Sequence, residues 1–182
     1  MGQRLASTKL SALYASPLSR TVETARLVGG PQGLEPRLEP GLREIAHGHW
    51  EGKRRSEVER DFADEYVAWE EDPFTFAPAG GETGLAVMAR ALPVIREIVQ
   101  RHPGENVAVI SHKATIRLLL SSLLGFDARG YRDRLDQAPA CLNIVDFRDP
   151  VRSRLMLYND TSHYALEARR AEGQLSKWWD AS

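Results

Sequence analysis

The stretch NVAVISHKATIRLLLSSLLG, residues 106–125, restricts the fold more than any other part of the chain. An apolar run from Val107 to Ile110 leads without a linker into a helical pattern that Gly125 ends. A strand apolar on both sides needs cover on both faces, the condition of a strand in the middle of a parallel sheet. The same arrangement occurs earlier. KLSALYAS, residues 9–16, reads as a short buried strand. After it, Leu18, Val22, Ala25 and Val28 recur at helical spacing until Gly29 and Gly30.

The remaining segments fit the same plan. Residues 31–41 form a Pro- and Gly-rich connection, and LREIAHGHWEG, residues 42–52, reads as a short extended piece. Residues 56–72 form an amphipathic helix with Ser56 and Glu59 as a capping box. A loop over 73–83 precedes a long helix from Gly84 to Gln100, bent at Pro93. ACLNIVDF and RLMLYND are two strands joined as a hairpin through RDPVRS. The tail from 165 to 182 is polar and helix-compatible, with Trp178 and Trp179 near its end. The expected fold is α/β: a three-layer sandwich with a mainly parallel sheet, helices on both faces and a late β-hairpin, in one domain over residues 1–182.

Composition narrows the function. The formal net charge of −1 gives no global field for nucleic acid or an anionic membrane, so an anion site must be local. No apolar run approaches the length of a membrane span, and the first ten residues lack the apolar core of a signal peptide. One cysteine, Cys141, cannot close an internal disulfide, and a reducing, cytoplasmic setting is expected.

In a parallel sheet, sites form where strands end and helices begin. Ser16-Pro17-Leu18-Ser19-Arg20 leaves a strand and enters a helix. Free N–H groups there favour an anion, and Arg20 adds a bidentate fork suited to phosphate, although a solvated arginine is the plain alternative. Ser111-His112-Lys113 repeats the geometry: the strand delivers His112 to the sheet edge, as a ligand-facing or merely structural imidazole, and Lys113 offers its backbone N–H. Glu44, in an otherwise apolar approach, suits a general acid; a surface pairing with Arg43 or Arg37 is the alternative. His47 and His49 share a strand face, but no further ligand sits at metal spacing nearby, so no metal is expected.

Together these pieces resemble the histidine phosphatase superfamily, the phosphoglycerate-mutase-like group. The matching stretches are YASPLSRTVETA, LREIAHGHWEG, AGGET, VAVISHKATIRLLLSSLLG and LYNDTSHY, and the resemblance runs over roughly residues 2–164. It implies phosphomonoester hydrolysis without metal or cofactor, through a phosphoryl group passed to a histidine and then to water. By the same match Arg20 resembles the phosphate-clamping arginine and Glu44 the proton donor to the leaving oxygen. His112 resembles the second histidine, which helps bind the transferring group. Ser16, Lys113 and Glu82 are expected on the substrate side, and residues 53–83 are expected to form the lid. Asp160 and His163 recur in the resemblance without an assigned role.

One part of the family pattern has no counterpart. Members open with a strand ending in Arg-His-Gly-x-Thr, whose histidine is the nucleophile. MGQRLASTKLSALYASP resembles instead the end of the first helix and the second strand, so the first family strand is expected to be missing. Arg101-His102 does not replace it, because it precedes its strand rather than following one. The expectations are therefore a phosphatase whose nucleophile-bearing N-terminal segment is absent from the chain, or a shortened relative that binds a phosphorylated ligand or a protein without turnover. The partner is a small phosphorylated substrate. Sheet edges left open by a missing strand also predict a homodimer.

Overall fold

The structure, a computed structural model, describes residues 1–164; the 165–182 tail lies outside the described residues. Three parallel strands form the sheet: β1 (Ala12–Ala15), β2 (Arg37–Leu38) and β3 (Val107–Ile110). Their spatial order is β2-β1-β3. Every residue of β1 is buried, as a central strand requires. The sequence placed β3 in the middle, and this is corrected: among the described residues β3 is an edge strand, three of whose four residues are only half-buried.

Helices cover both faces. On one, α1 (Gly2–Leu5) and α2 (Ser19–Gly29) pack Leu5, Ala25 and Val28 against Leu13, Ala15 and Ala108. On the other, α5 (Gly84–Arg101) and α6 (Lys113–Leu124) pack Ala91, Ile95, Ile98 and Leu119 against Ala12 and Tyr14. The hairpin of β4 (Leu142–Phe147) and β5 (Ser153–Asp160) is antiparallel and separate from the parallel sheet. Leu142 nevertheless packs with Ile110 on the first core cluster, and Phe147 with Val107 and Val109 on the second. The β3 edge and the hairpin thus abut the same two core layers with no ladder joining them.

Two local expectations fail for tertiary reasons. The helix expected over 56–72 is two helices, α3 (Arg55–Asp61) and α4 (Ala63–Glu71), broken at Phe62. The break turns the Phe62 ring onto His49, with centroids 4.5 Å apart. The capping glutamate is Glu57, which accepts from the Arg54 N–H at 2.6 Å, in place of Glu59. The 42–52 segment is a loop with a 3₁₀ turn at Gly48–Trp50 in place of an extended piece. Gly48 has φ +54°, and a Cβ there would stand 2.1 Å from the Ala79 carbonyl oxygen, so only glycine lets this loop lie against the Gly80-Gly81 loop. A short helix, α7 (Tyr131–Arg134), follows α6.

Candidate active site

β1 and β3 end side by side, and each opens directly into a helix, α2 or α6. That register brings Ser16, Arg20 and His112 together. His112 is the N-cap residue of α6 and is buried. Its Nδ1 accepts from Arg20 Nε at 3.2 Å, and its Nε2 lies 2.8 Å from the hydroxyl of the fully buried Ser16. Because Arg20 is always a donor, Nδ1 must be the acceptor and Nε2 carries the proton toward Ser16. Burial holds the His112 pKa below the ordinary imidazole range; the charges of Arg20 and Arg90 act in the same direction and Glu44 opposes them. Ser16 also accepts from the Leu18 N–H at 3.3 Å, so it braces the histidine and the turn.

Arg20 is exposed, and among the described residues only its Nε is engaged. Its two terminal nitrogens are left for an anion. The N-terminus of α2 beside it has no side-chain cap, which adds free N–H donors.

Glu44 reaches the same place from the 42–52 loop. Its carboxylate accepts from the N–H groups of Ala114 and Thr115 at 3.2 Å each, in the first turn of α6. It also accepts from the Ile45 N–H at 3.0 Å, and the Thr115 hydroxyl oxygen lies 3.2 Å away. Glu44 is thus engaged by α6, and among the described residues it forms no ion pair with Arg43 or Arg37. Lys113 lies between His112 and the Glu44-bound residues and is exposed.

Glu82 is committed elsewhere. Arg90, on α5, clamps its two oxygens at 2.8 and 2.9 Å, and one of them also accepts from the Ala46 N–H at 3.1 Å. The same guanidinium donates to the carbonyls of Gly41, Arg43 and Glu44 at 2.7, 2.9 and 3.0 Å. Glu82 and Arg90 thereby fix the loop that carries Glu44. Ser111 and Thr115 tie it from the α6 side, donating to the Leu42 and Arg43 carbonyls at 2.8 and 2.7 Å. Sequence reasoning missed Arg90, Ser111 and Thr115. The one available signal for Arg90 was its position eight residues after Glu82 on the core-facing helix.

The other histidines are dispersed. His102 contacts the Tyr14 hydroxyl at 3.0 Å and Glu105 at 2.7 Å, before β3 begins. His49 pairs with Glu65 at 2.8 Å, and His163 meets the Ala140 carbonyl at 3.0 Å. His47 stands in an aromatic cluster with Trp50 and Trp69, and burial lowers its pKa. Asp160 accepts from Arg4 Nε at 3.2 Å. Among the described residues no three His, Cys, Asp or Glu side chains converge as a metal cage, and no helix is long and apolar enough to cross a membrane.

An arginine, an imidazole and a carboxylate gather where strands of a parallel sheet end and helices begin, the place where α/β proteins form their sites. The chain belongs to the histidine phosphatase superfamily (branch 1), whose family model matches residues 1–161. Phosphoserine phosphatase 1 of Hydrogenobacter thermophilus is 33% identical over 172 residues, covering 94% of this chain and 82% of the relative. Glucosyl-3-phosphoglycerate phosphatase of Mycobacterium tuberculosis is 32% identical over 120 residues, 62% of this chain; the match spans about half of that relative, 53%. The solved structure of Bacillus stearothermophilus YhfR superposes with a TM-score of 0.83 at 28% identity, covering 89% of this chain and 80% of that one. The relatives named for an activity are phosphatases, which supports phosphoester hydrolysis.

Proposed function

We propose that the chain carries the phosphate-clamping and proton-donating half of a phosphohistidine phosphatase site. The observation that carries this reading is the Arg20–His112–Ser16 cluster beside the Glu44-capped start of α6. Arg20 gathers the phosphoryl oxygens with His112 alongside, and Glu44 protonates the leaving oxygen as the P–O bond breaks. The phosphoryl group passes to a histidine nitrogen, and water then takes it to release phosphate and free the imidazole. The substrate is a small phosphorylated molecule, residues 53–83 form its lid, and the setting is cytoplasmic, with no metal or cofactor in the step.

The nucleophile is the distinctive point. Of the chain's five histidines only His112 lies at Arg20, and both of its nitrogens are engaged. We therefore place the nucleophilic histidine on an extended segment preceding residue 1, lying between the β3 edge and the β4–β5 hairpin. Among the described residues no ladder joins β3 to the hairpin, although side chains of both pack on the same two core clusters, which supports this placement. A second reading, binding of a phosphorylated ligand without turnover, draws support from the same engagement of His112. The experiment is metal-free hydrolysis of p-nitrophenyl phosphate at pH 5 to 8, by the chain and by the chain extended with an apolar strand ending in Arg-His-Gly-x-Thr. Turnover by the extended chain alone upholds the first reading. Phosphate binding with no turnover by either upholds the second. Turnover by the unextended chain overturns the assignment of the nucleophile.

A further inference from the structure

Ser16, expected from the sequence on the substrate side, is fully buried, so whatever it does for a bound anion it does through the residues it touches. Three contacts hold it in place. Its N–H donates to the Ile110 carbonyl at 2.9 Å, which joins the end of β1 to the end of β3. Its carbonyl oxygen lies 3.0 Å from the Thr21 hydroxyl on α2. Its hydroxyl oxygen accepts from the Leu18 N–H at 3.3 Å. That oxygen is thereby a fixed point, 2.8 Å from Nε2 of His112.

The direction of the bond to His112 follows by elimination. Were Ser16 to donate, Nε2 would be the bare nitrogen and Nδ1 would carry the proton of a neutral ring. That proton would meet the Arg20 Nε–H, donor against donor, at 3.2 Å. Ser16 is therefore the acceptor. An imidazolium carries a proton on both nitrogens, so the same acceptor serves the charged ring without rearrangement. It serves that ring better, because a hydrogen bond from an ionised donor is roughly twice as strong as a neutral one.

The two nitrogens consequently differ in what they can do. Nε2 faces a buried oxygen that cannot leave. Nδ1 faces Arg20, which is exposed and has its terminal nitrogens free for an anion, so Nδ1 lies on the side from which an anion arrives. The charges that act on the ring come from three elements: Arg20 on α2, Glu44 on the 42–52 loop and Arg90 on α5. We propose that Ser16 is a positioning residue of the anion site: it keeps a proton on Nε2 of His112 in both charge states, so that Nδ1 is the atom that gains and loses a proton and the atom the ring offers to a bound anion. This rests on the reading of Arg20 and His112 as a phosphate clamp.

The test combines nitrogen-15 NMR of the imidazole rings with calorimetric titration of sulfate at pH 7.5 and 5.5. The His112 signals are identified by their loss in His112→Asn. In the ligand-free chain at pH 7.5 the protonated nitrogen of His112 is expected to be Nε2, and with sulfate at pH 5.5 the added proton is expected on Nδ1. Ser16→Ala removes the acceptor, and its loss of sulfate affinity is expected to be at least about threefold larger at pH 5.5 than at pH 7.5. Thr21→Val loosens the same turn and keeps the acceptor, so its losses are expected to be equal at the two pH values. An Nδ1–H tautomer in the ligand-free chain overturns the proposal, whether or not Ser16→Ala folds. Equal losses at both pH values in Ser16→Ala also overturn it, and so does the same pH split in Thr21→Val. If the unaltered chain does not bind sulfate, the clamp reading fails and takes the proposal with it; the ligand-free tautomer tells the two failures apart.

Discussion

Arg20 donates its Nε–H to Nδ1 of His112 at 3.2 Å, so the arginine and the histidine from two separate strand–helix turns behave as one unit. The contact uses one nitrogen of the guanidinium and leaves two for an anion. It also fixes the tautomer of the imidazole, whose remaining proton faces Ser16 at 2.8 Å.

That arrangement sets a pH dependence. The His112 pKa lies below the ordinary value because of burial and neighbouring arginines, so the empty site holds a neutral ring. A bound dianion favours the protonated ring, so binding takes up a proton at Nδ1 as pH falls below the ordinary imidazole range, and the Arg20 Nε–H turns from the ring to the anion. Sulfate stays a dianion throughout this range. Its affinity is expected to rise several-fold from pH 7.5 to pH 5.5, and the rise is expected to vanish in His112→Asn. A flat profile in the unaltered chain counts against His112 as an anion ligand. Without ligand the sign is opposite for stability: the unfolded chain binds the extra proton first, so folding weakens as pH falls below about 6.5.

Arg90 holds the Glu44 loop from α5. Arg90→Met leaves Glu82 half-buried without its ion partner and frees three loop carbonyls. A loss of about 2 kcal/mol is expected in urea unfolding. Arg90→Lys is expected to recover little of it, because an ammonium cannot span Glu82 and three carbonyls at once. Full recovery by lysine contradicts the clamp.

Glu44 is predicted to protonate the leaving oxygen. In the chain extended by an Arg-His-Gly-x-Thr strand, Glu44→Gln is expected to slow phosphate esters of aliphatic alcohols at least about tenfold more than p-nitrophenyl phosphate, whose leaving group needs little protonation. Equal losses on both rule out the acid role.

The open edges of β3 and the hairpin predict association between copies. Sedimentation of the unextended chain is expected to show a concentration-dependent dimer. A monomer at every concentration contradicts it.

Much of the architecture was legible because it is local. The apolar runs before Ser16 and Ser111, and the helical spacing after each, identify both strand–helix turns, and with them Arg20 and His112. What was not legible depends on packing between distant segments. Glu44 reaches α6 across seventy residues, Arg90 joins Glu82 to the loop from a third element, and no periodicity records either contact. Phe62 fits a helical pattern, yet the chain breaks there to place its ring on His49. The apolar character of β3 argued for a central strand, yet among the described residues it pairs on one side only, with β1.

The most direct test of the phosphate site is calorimetric titration of inorganic phosphate into the unaltered chain and into Arg20→Ala. A single site is predicted, weakened at least tenfold in the variant, on the order of 1.4 kcal/mol or more. An unchanged affinity in Arg20→Ala, or no binding to the unaltered chain, would contradict the assignment of Arg20 and His112 as the phosphate clamp.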